Sequence, residues 1–169
     1  MSGSAAAYLR RLFAPAPLRP PGARAEEAFV ALCIRCGRCV EVCAYRALRP
    51  AGVRGGIGTG TPYVEPRTAP CWLCMKCPPV CPTGALRPVR DPRQADMGRA
   101  RVNPDRCYAF QGILCQTCLD ACPLQGEAIR QDALLQPVVT ERCVGCGLCV
   151  QRCPVPESAI RIVPKGARA

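Results

Sequence analysis

The chain has 169 residues and a formal charge of +11, with 16 cysteines, 15 glycines, 19 prolines, no histidine and 5% aromatic residues. That length excludes a large multidomain enzyme, and the glycine and proline content argues against long helices or broad sheets. Without histidine, imidazole catalysis and histidine-bound zinc are excluded, while the basic excess suggests an acidic partner, acidic lipid or nucleic acid.

Residues 1–24 combine alanine and proline with Arg10, Arg11, Arg19 and Arg24 and carry no acid, so they read as a flexible arm. Arg10-Arg11-Leu12-Phe13 has a twin-arginine look, but proline and arginine interrupt residues 14–21 and no apolar signal region forms. Ala25–Leu32 opens on Glu26 and Glu27 and is predicted as a short helix, with its acids at the positive end of the dipole. The first cysteine group comes next: Cys33, Cys36, Cys39 and Cys43. Residues 51–60 form a glycine-rich linker; no Gly-Lys-Ser/Thr accompanies it, which argues against a phosphate loop.

The β-prone segment Pro62-Tyr63-Val64 leads to Cys71, Cys74, Cys77 and Cys81. Arg101-Val102, with the turn Asn103-Pro104-Asp105, leads to Cys107, Cys115, Cys118 and Cys122. Pro137 to Thr140 leads to Cys143, Cys146, Cys149 and Cys153. After each fourth cysteine comes an Ala-Leu or Ala-Ile pair, and the groups recur about every 36 to 38 residues. The repeat reads as short strand, turn, cysteine loop, short helix and strand. The longest uncharged apolar run, Cys143 to Val150, is far below the roughly 20 residues of a membrane helix, so no transmembrane segment is expected.

Groups one, two and four are C-x2-C-x2-C-x3-C, the bacterial ferredoxin run. Three thiolates at this spacing wrap three iron corners of a cubane, and the fourth serves a neighbouring cluster. The proline after Cys81, Cys122 and Cys153 costs nothing at a first helical position. Sixteen cysteines therefore specify four 4Fe-4S clusters, with all sixteen as ligands through cluster iron and no catalytic residue. A disulfide framework does not require this periodic spacing, and zinc ribbons separate two C-x2-C knuckles more widely. Two alternatives remain in view: a zinc-binding nucleic-acid-binding protein with four-cysteine sites, and a reductase with an open-site cluster.

Two departures imply unequal cluster environments. Group three is C-x7-C-x2-C-x3-C, and group one continues into Ala44 instead of proline. Arg35, Arg38, Lys76, Arg106, Arg142 and Arg152 lie in or beside the loops and are candidates to tune potential; Arg35 and Arg38 are expected to raise that of the first-motif cluster. Trp72 is expected to shield the second. Each cubane with its thiolates carries roughly −2, so four reduce the net charge to about +3. The expected fold is α+β: two ferredoxin-like units, each with two 4Fe-4S clusters, short strands and short helices, stapled by clusters around little conventional core.

Pro20-Pro21-Gly22-Ala23, Cys33-Ile34-Arg35-Cys36-Gly37-Arg38-Cys39, Gly60-Thr61-Pro62-Tyr63, Cys81-Pro82-Thr83-Gly84-Ala85-Leu86 and Ala95-Asp96-Met97-Gly98 resemble the ferredoxin-type subunits of quinol dehydrogenase modules. These serve periplasmic nitrate reduction and methylamine utilisation. The resemblance implies an electron carrier, not an enzyme, which takes electrons from a membrane quinol-oxidising subunit and passes them to a cytochrome or terminal reductase. The missing signal region points to a cytoplasmic or peripheral membrane location, the family to the periplasm. Related subunits pair motif one with four and two with three. By analogy the clusters would be held by Cys33, Cys36, Cys39 and Cys153; Cys143, Cys146, Cys149 and Cys43; Cys71, Cys74, Cys77 and Cys122; and Cys107, Cys115, Cys118 and Cys81. The corresponding units are residues 25–50 plus 138–165 (outer) and 61–137 (inner). Consecutive pairing, one with two and three with four, is also sterically open.

Overall fold

A computed structural model describes residues 17–166; the twin-arginine segment lies outside the described residues. Its helices are α1 (Glu26–Leu32), α2 (Arg38–Glu41), α3 (Thr117–Asp120) and α4 (Leu148–Arg152). Its strands are β1 (Leu48–Pro50), β2 (Pro62–Val64), β3 (Gly98–Val102), β4 (Ile129–Gln131), β5 (Pro137–Val139) and β6 (Ile160–Pro164). The expected helix over 25–32 is present as α1, which carries its two acids in the first turn and turns Phe29 fully into the core. Among the described residues no helix is long and apolar enough to cross a membrane.

The strands form three antiparallel pairs: β1 with β2, β3 with β6, and β4 with β5. β3 precedes the third cysteine group and β6 comes after the fourth, and they align Ala100 with Ile162 and Val102 with Ile160. Between them β4 and β5 close a hairpin that aligns Ile129 with Val139. The first half repeats the plan: β1 pairs with β2 between groups one and two, and the chain entering group one is tied to the chain leaving group two through the Ala23–Leu86 bridge and the Arg24 N–H to Ala85 and Arg87 N–H to Gly22 hydrogen bonds. Strand pairing thus divides the chain consecutively, and the outer and inner units expected by analogy are not the units it draws. The physical reason is local: a strand leaving one cysteine loop finds its closest partner in the strand entering the next, across a short connection.

Residues 17–24 are not an arm. Leu18 and Arg19 are buried, Pro20 and Pro21 fully so, and Leu18 bridges to Val64. Gly22 holds φ at +77°, and a Cβ there would stand 2.2 Å from the Arg87 carbonyl oxygen, so only glycine permits this crossing. The arginine and prolines that suggest disorder by composition are spent on buried contacts. Within residues 51–60, Val53–Gly58 turns as two short 3-10 segments broken at Gly56 (φ +56°).

The largest apolar cluster joins the halves: Phe29, Leu48, Val64, Leu73 and Leu86 pack in the same body as Met97, Leu124, Val144 and Leu148. Two smaller clusters lie within the second half. Cysteines contribute to all three, so apolar packing and the cysteine loops occupy the same space.

Candidate electron-transfer centres

Loop geometry gathers the cysteines into four sets. Cys33, Cys36 and Cys39 line one cavity with Cys81, walled by Phe29, Val80 and Leu86. Cys143, Cys146 and Cys149 line another with Cys122, walled by Ile129, Val139 and Ile162. Cys71 has Cys146, Cys74 and Cys43 as neighbouring thiols, of which Cys146 already belongs to the preceding cavity, and Cys118 has Cys107, Cys115 and Cys153. Each set takes three cysteines from one motif and the fourth from its consecutive partner. The nested assignment puts Cys153 with Cys33 and Cys43 with Cys143; the structure instead brings Cys153 to Cys118 and Cys43 to Cys71. Connection length does not decide between these arrangements, whereas strand pairing does.

The donor chemistry fits a multi-iron group. Burial pushes the Cys71 thiol up to about 12, and the charges of Cys146, Cys74 and Cys43 add to the rise. Burial likewise raises Cys118 to about 12 and Cys39 to about 11, each reinforced by the cysteines of its own loop. Thiols packed this way cannot all ionise without a cationic centre between them. Four thiols around each of the two cavities, with apolar walls between them, are the donor set a cubane takes.

Three of the four fourth cysteines share a further device. The Sγ atoms of Cys43, Cys81 and Cys153 accept backbone N–H groups from Ala47 at 3.3 Å, Leu86 at 3.4 Å and Ala159 at 3.4 Å. Burial raises the Cys81 thiol, but the Leu86 N–H and the Thr83 hydroxyl and N–H outweigh it and hold it below its ordinary value. Such bonds favour the charged sulfur. Their donors belong to the Ala-Leu and Ala-Ile pairs of the repeat, which gives that sequence signature a physical role. The absent proline after Cys43 does not disturb it.

The sets are not isolated. Cys77 has Cys39 of the first set among its charged neighbours. Cys71 has Cys146 as another, and the Cys71 N–H donates to the Cys146 carbonyl at 2.9 Å. Cys149 has Cys118. The four sets therefore succeed one another in the order motif one, motif two, motif four, motif three.

Several of the candidate tuning residues are engaged elsewhere. Arg35, at φ +58°, donates to the carbonyls of Thr59 at 2.7 Å and Ile57 at 3.0 Å, clamping the glycine-rich segment over the first loop. Arg106 pairs with Glu157 at 3.8 Å and Arg142 with Glu127 at 3.7 Å. Trp72 is 45% exposed and stacks on Tyr45 with ring centroids 5.2 Å apart. No sequence signal marks Tyr45; its place two residues after Cys43, opposite a tryptophan beside Cys71, becomes meaningful only once those cysteines share a set.

Comparison with known proteins agrees with this chemistry. Family models described as 4Fe-4S dicluster domains match residues 32–85, 70–126 and 100–162. The methylamine utilization ferredoxin-type protein MauM of Methylobacillus flagellatus is 43% identical over 173 residues, covering 94% of this chain and 74% of the relative. MauM of Methylorubrum extorquens is 39% identical, covering 88% and 73%. The ferredoxin-type protein NapG of Escherichia coli is 39% identical over 162 residues, covering 87% and 70%.

Proposed function

We propose a route for electrons through this chain, which belongs to the family of ferredoxin-type proteins with 4Fe-4S dicluster domains and is an iron–sulfur electron carrier with four 4Fe-4S clusters. Each cluster supplies reversible one-electron chemistry when bound. The protein supplies order, spacing and environment. The cysteine sets define a single file, with motif one at one end and motif three at the other, and the observation that carries this reading is the unbroken succession of neighbouring thiols from Cys39 through Cys77, Cys71, Cys146 and Cys149 to Cys118. In this file the fourth ligands are Cys81, Cys43, Cys122 and Cys153, in that order. A membrane quinol-oxidising subunit feeds one end and a cytochrome or terminal reductase draws from the other, which places the carrier at the membrane periphery. Zinc binding is not favoured, since the matching family models are 4Fe-4S dicluster domains and the relatives are ferredoxin-type proteins, and open-site reductase chemistry is not favoured, since every set has four thiols.

Iron counting tests the pairing. If Cys43 and Cys71 serve one cluster, the double variant Cys43→Ala/Cys71→Ala loses a single cluster and retains about 12 iron per chain; nested pairing makes them ligands of two clusters and leaves about 8. The lower figure, with both single variants at about 12, would overturn the route.

A further inference from the structure

Resting on the single file described above, we propose that the groove along β3 and β6 beside the motif-three end is a docking surface for a redox protein with an acidic face. Arg101 and Arg161 stand directly opposite each other across this pair, and both are exposed. Like charges in that position repel. Neighbouring basic residues have acids to offset them: Arg99 pairs with Glu141 at 3.5 Å and Arg106 with Glu157 at 3.8 Å. No ion pair among the described residues reaches Arg101 or Arg161. Two adjacent guanidinium groups without a carboxylate match a partner that brings carboxylates of its own, which they can hold in forked, bidentate geometry.

The groove's position links this charge to the relay. Its lining includes Val102, Ser158, Ala159 and Ile160. The Ala159 N–H is the one bonded to Cys153 Sγ at 3.4 Å, and Val102 packs against the cluster of side chains that contains Cys107 and Cys153. A protein seated here therefore lies one hydrogen bond from the fourth ligand of the terminal set. Glu157 also lines the groove, interrupting the unbroken positive stripe that a phosphate backbone would require, so an acidic protein face fits better than nucleic acid.

Small oxidants of opposite charge probe this surface directly. The dithionite-reduced holoprotein is mixed in stopped flow with ferricyanide or with tris(phenanthroline)cobalt(III); one electron leaves the protein for each ferricyanide reduced to ferrocyanide or each cobalt(III) reduced to cobalt(II). At low ionic strength Arg101→Glu/Arg161→Glu is expected to slow the ferricyanide reaction about five-fold or more and to accelerate the cobalt reaction, with both effects fading as salt rises. The same charge change at the exposed Arg90 and Arg130 should move either rate less than about two-fold. Rates for the groove variant that match those of the Arg90/Arg130 variant would overturn the docking surface while leaving the relay intact. If wild-type protein reduced neither oxidant, the relay would fail and the surface with it. Arg101→Gln/Arg161→Gln, which removes charge without adding repulsion, carries the test should the glutamates cost iron.

Discussion

Arg19 illustrates how a residue that reads as part of a disordered tail becomes structural. Its guanidinium donates to Glu26 Oε2 at 2.8 Å, Thr61 Oγ1 at 2.9 Å and the Pro62 carbonyl at 2.9 Å, and lies 4.7 Å from the centre of the Phe29 ring. One side chain thereby ties the entering segment to α1 and β2. Glu26 retains 36% side-chain exposure, so solvent screening discounts the ion pair; the buried donors to Thr61 and Pro62 carry most of the effect. Arg19→Met should destabilise the holoprotein by about 2 kcal/mol, and Glu26→Gln by less, as read from the guanidinium concentration at which visible cluster absorbance is lost. Equal losses from the two variants would contradict this division. Glu127 offers a pH-dependent counterpart. Its hydrogen bond from Arg93, at 2.7 Å, holds its carboxyl below the ordinary range, helped by the charges of Arg93 and Arg142. A depressed carboxyl contributes its stabilisation above the ordinary carboxylate range and loses it as pH falls through the depressed value. Carbon NMR titration of Glu127 is expected to return to the ordinary range in Arg93→Ala, and an unchanged titration would show that the pair does not form in solution.

At the scale of elements, β1, β2, β4 and β5 have three residues each and the longest described helix has seven. Helices and isolated two-stranded ribbons of these lengths are marginal in water. They persist because each is anchored where it meets a cysteine loop, so cluster binding and folding are linked. Removing iron from the holoprotein with a chelator under reducing conditions should abolish most far-UV circular dichroism and cooperative unfolding, and native-like dichroism in a colourless protein would refute that linkage. The sequence makes these elements legible to an unusual degree, because the cysteine spacing, the Ala-Leu and Ala-Ile pairs and the β-prone segments recur with one period. It conceals the partner of each element. Residues 17–24 join the fold through bonds to residues 64 and 85–87, contacts that no local periodicity records. The assignment of Cys43 and Cys153 depends on the same non-local pairing, since connection lengths permit either arrangement.

Across the whole molecule, the join between halves falls between the second and fourth cysteine loops. The Cys71 N–H donates to the Cys146 carbonyl and the Gln151 side chain to the Thr68 carbonyl at 3.1 Å. Gly147 makes this approach possible: its φ is +88°, and a Cβ would lie 2.6 Å from Pro66 Cβ, on a rigid ring that cannot swing aside. Gly147→Ala therefore adds backbone strain and a clash at the one place where the file passes from one half to the other. Because electron tunnelling weakens steeply with distance, widening this joint should slow passage between the halves more than passage within either. The expected signature is an iron content near 16 per chain, weaker magnetic coupling in the spectrum of the fully reduced protein, and slower equilibration of electrons between its ends. An alanine variant with full iron and wild-type coupling would mean that electrons do not cross at this joint. Loss of two clusters instead would show that the contact is needed to assemble the second half, a structural role separable from transfer by comparing Gln151→Ala, which cuts one bond of the joint without touching a cysteine loop's backbone.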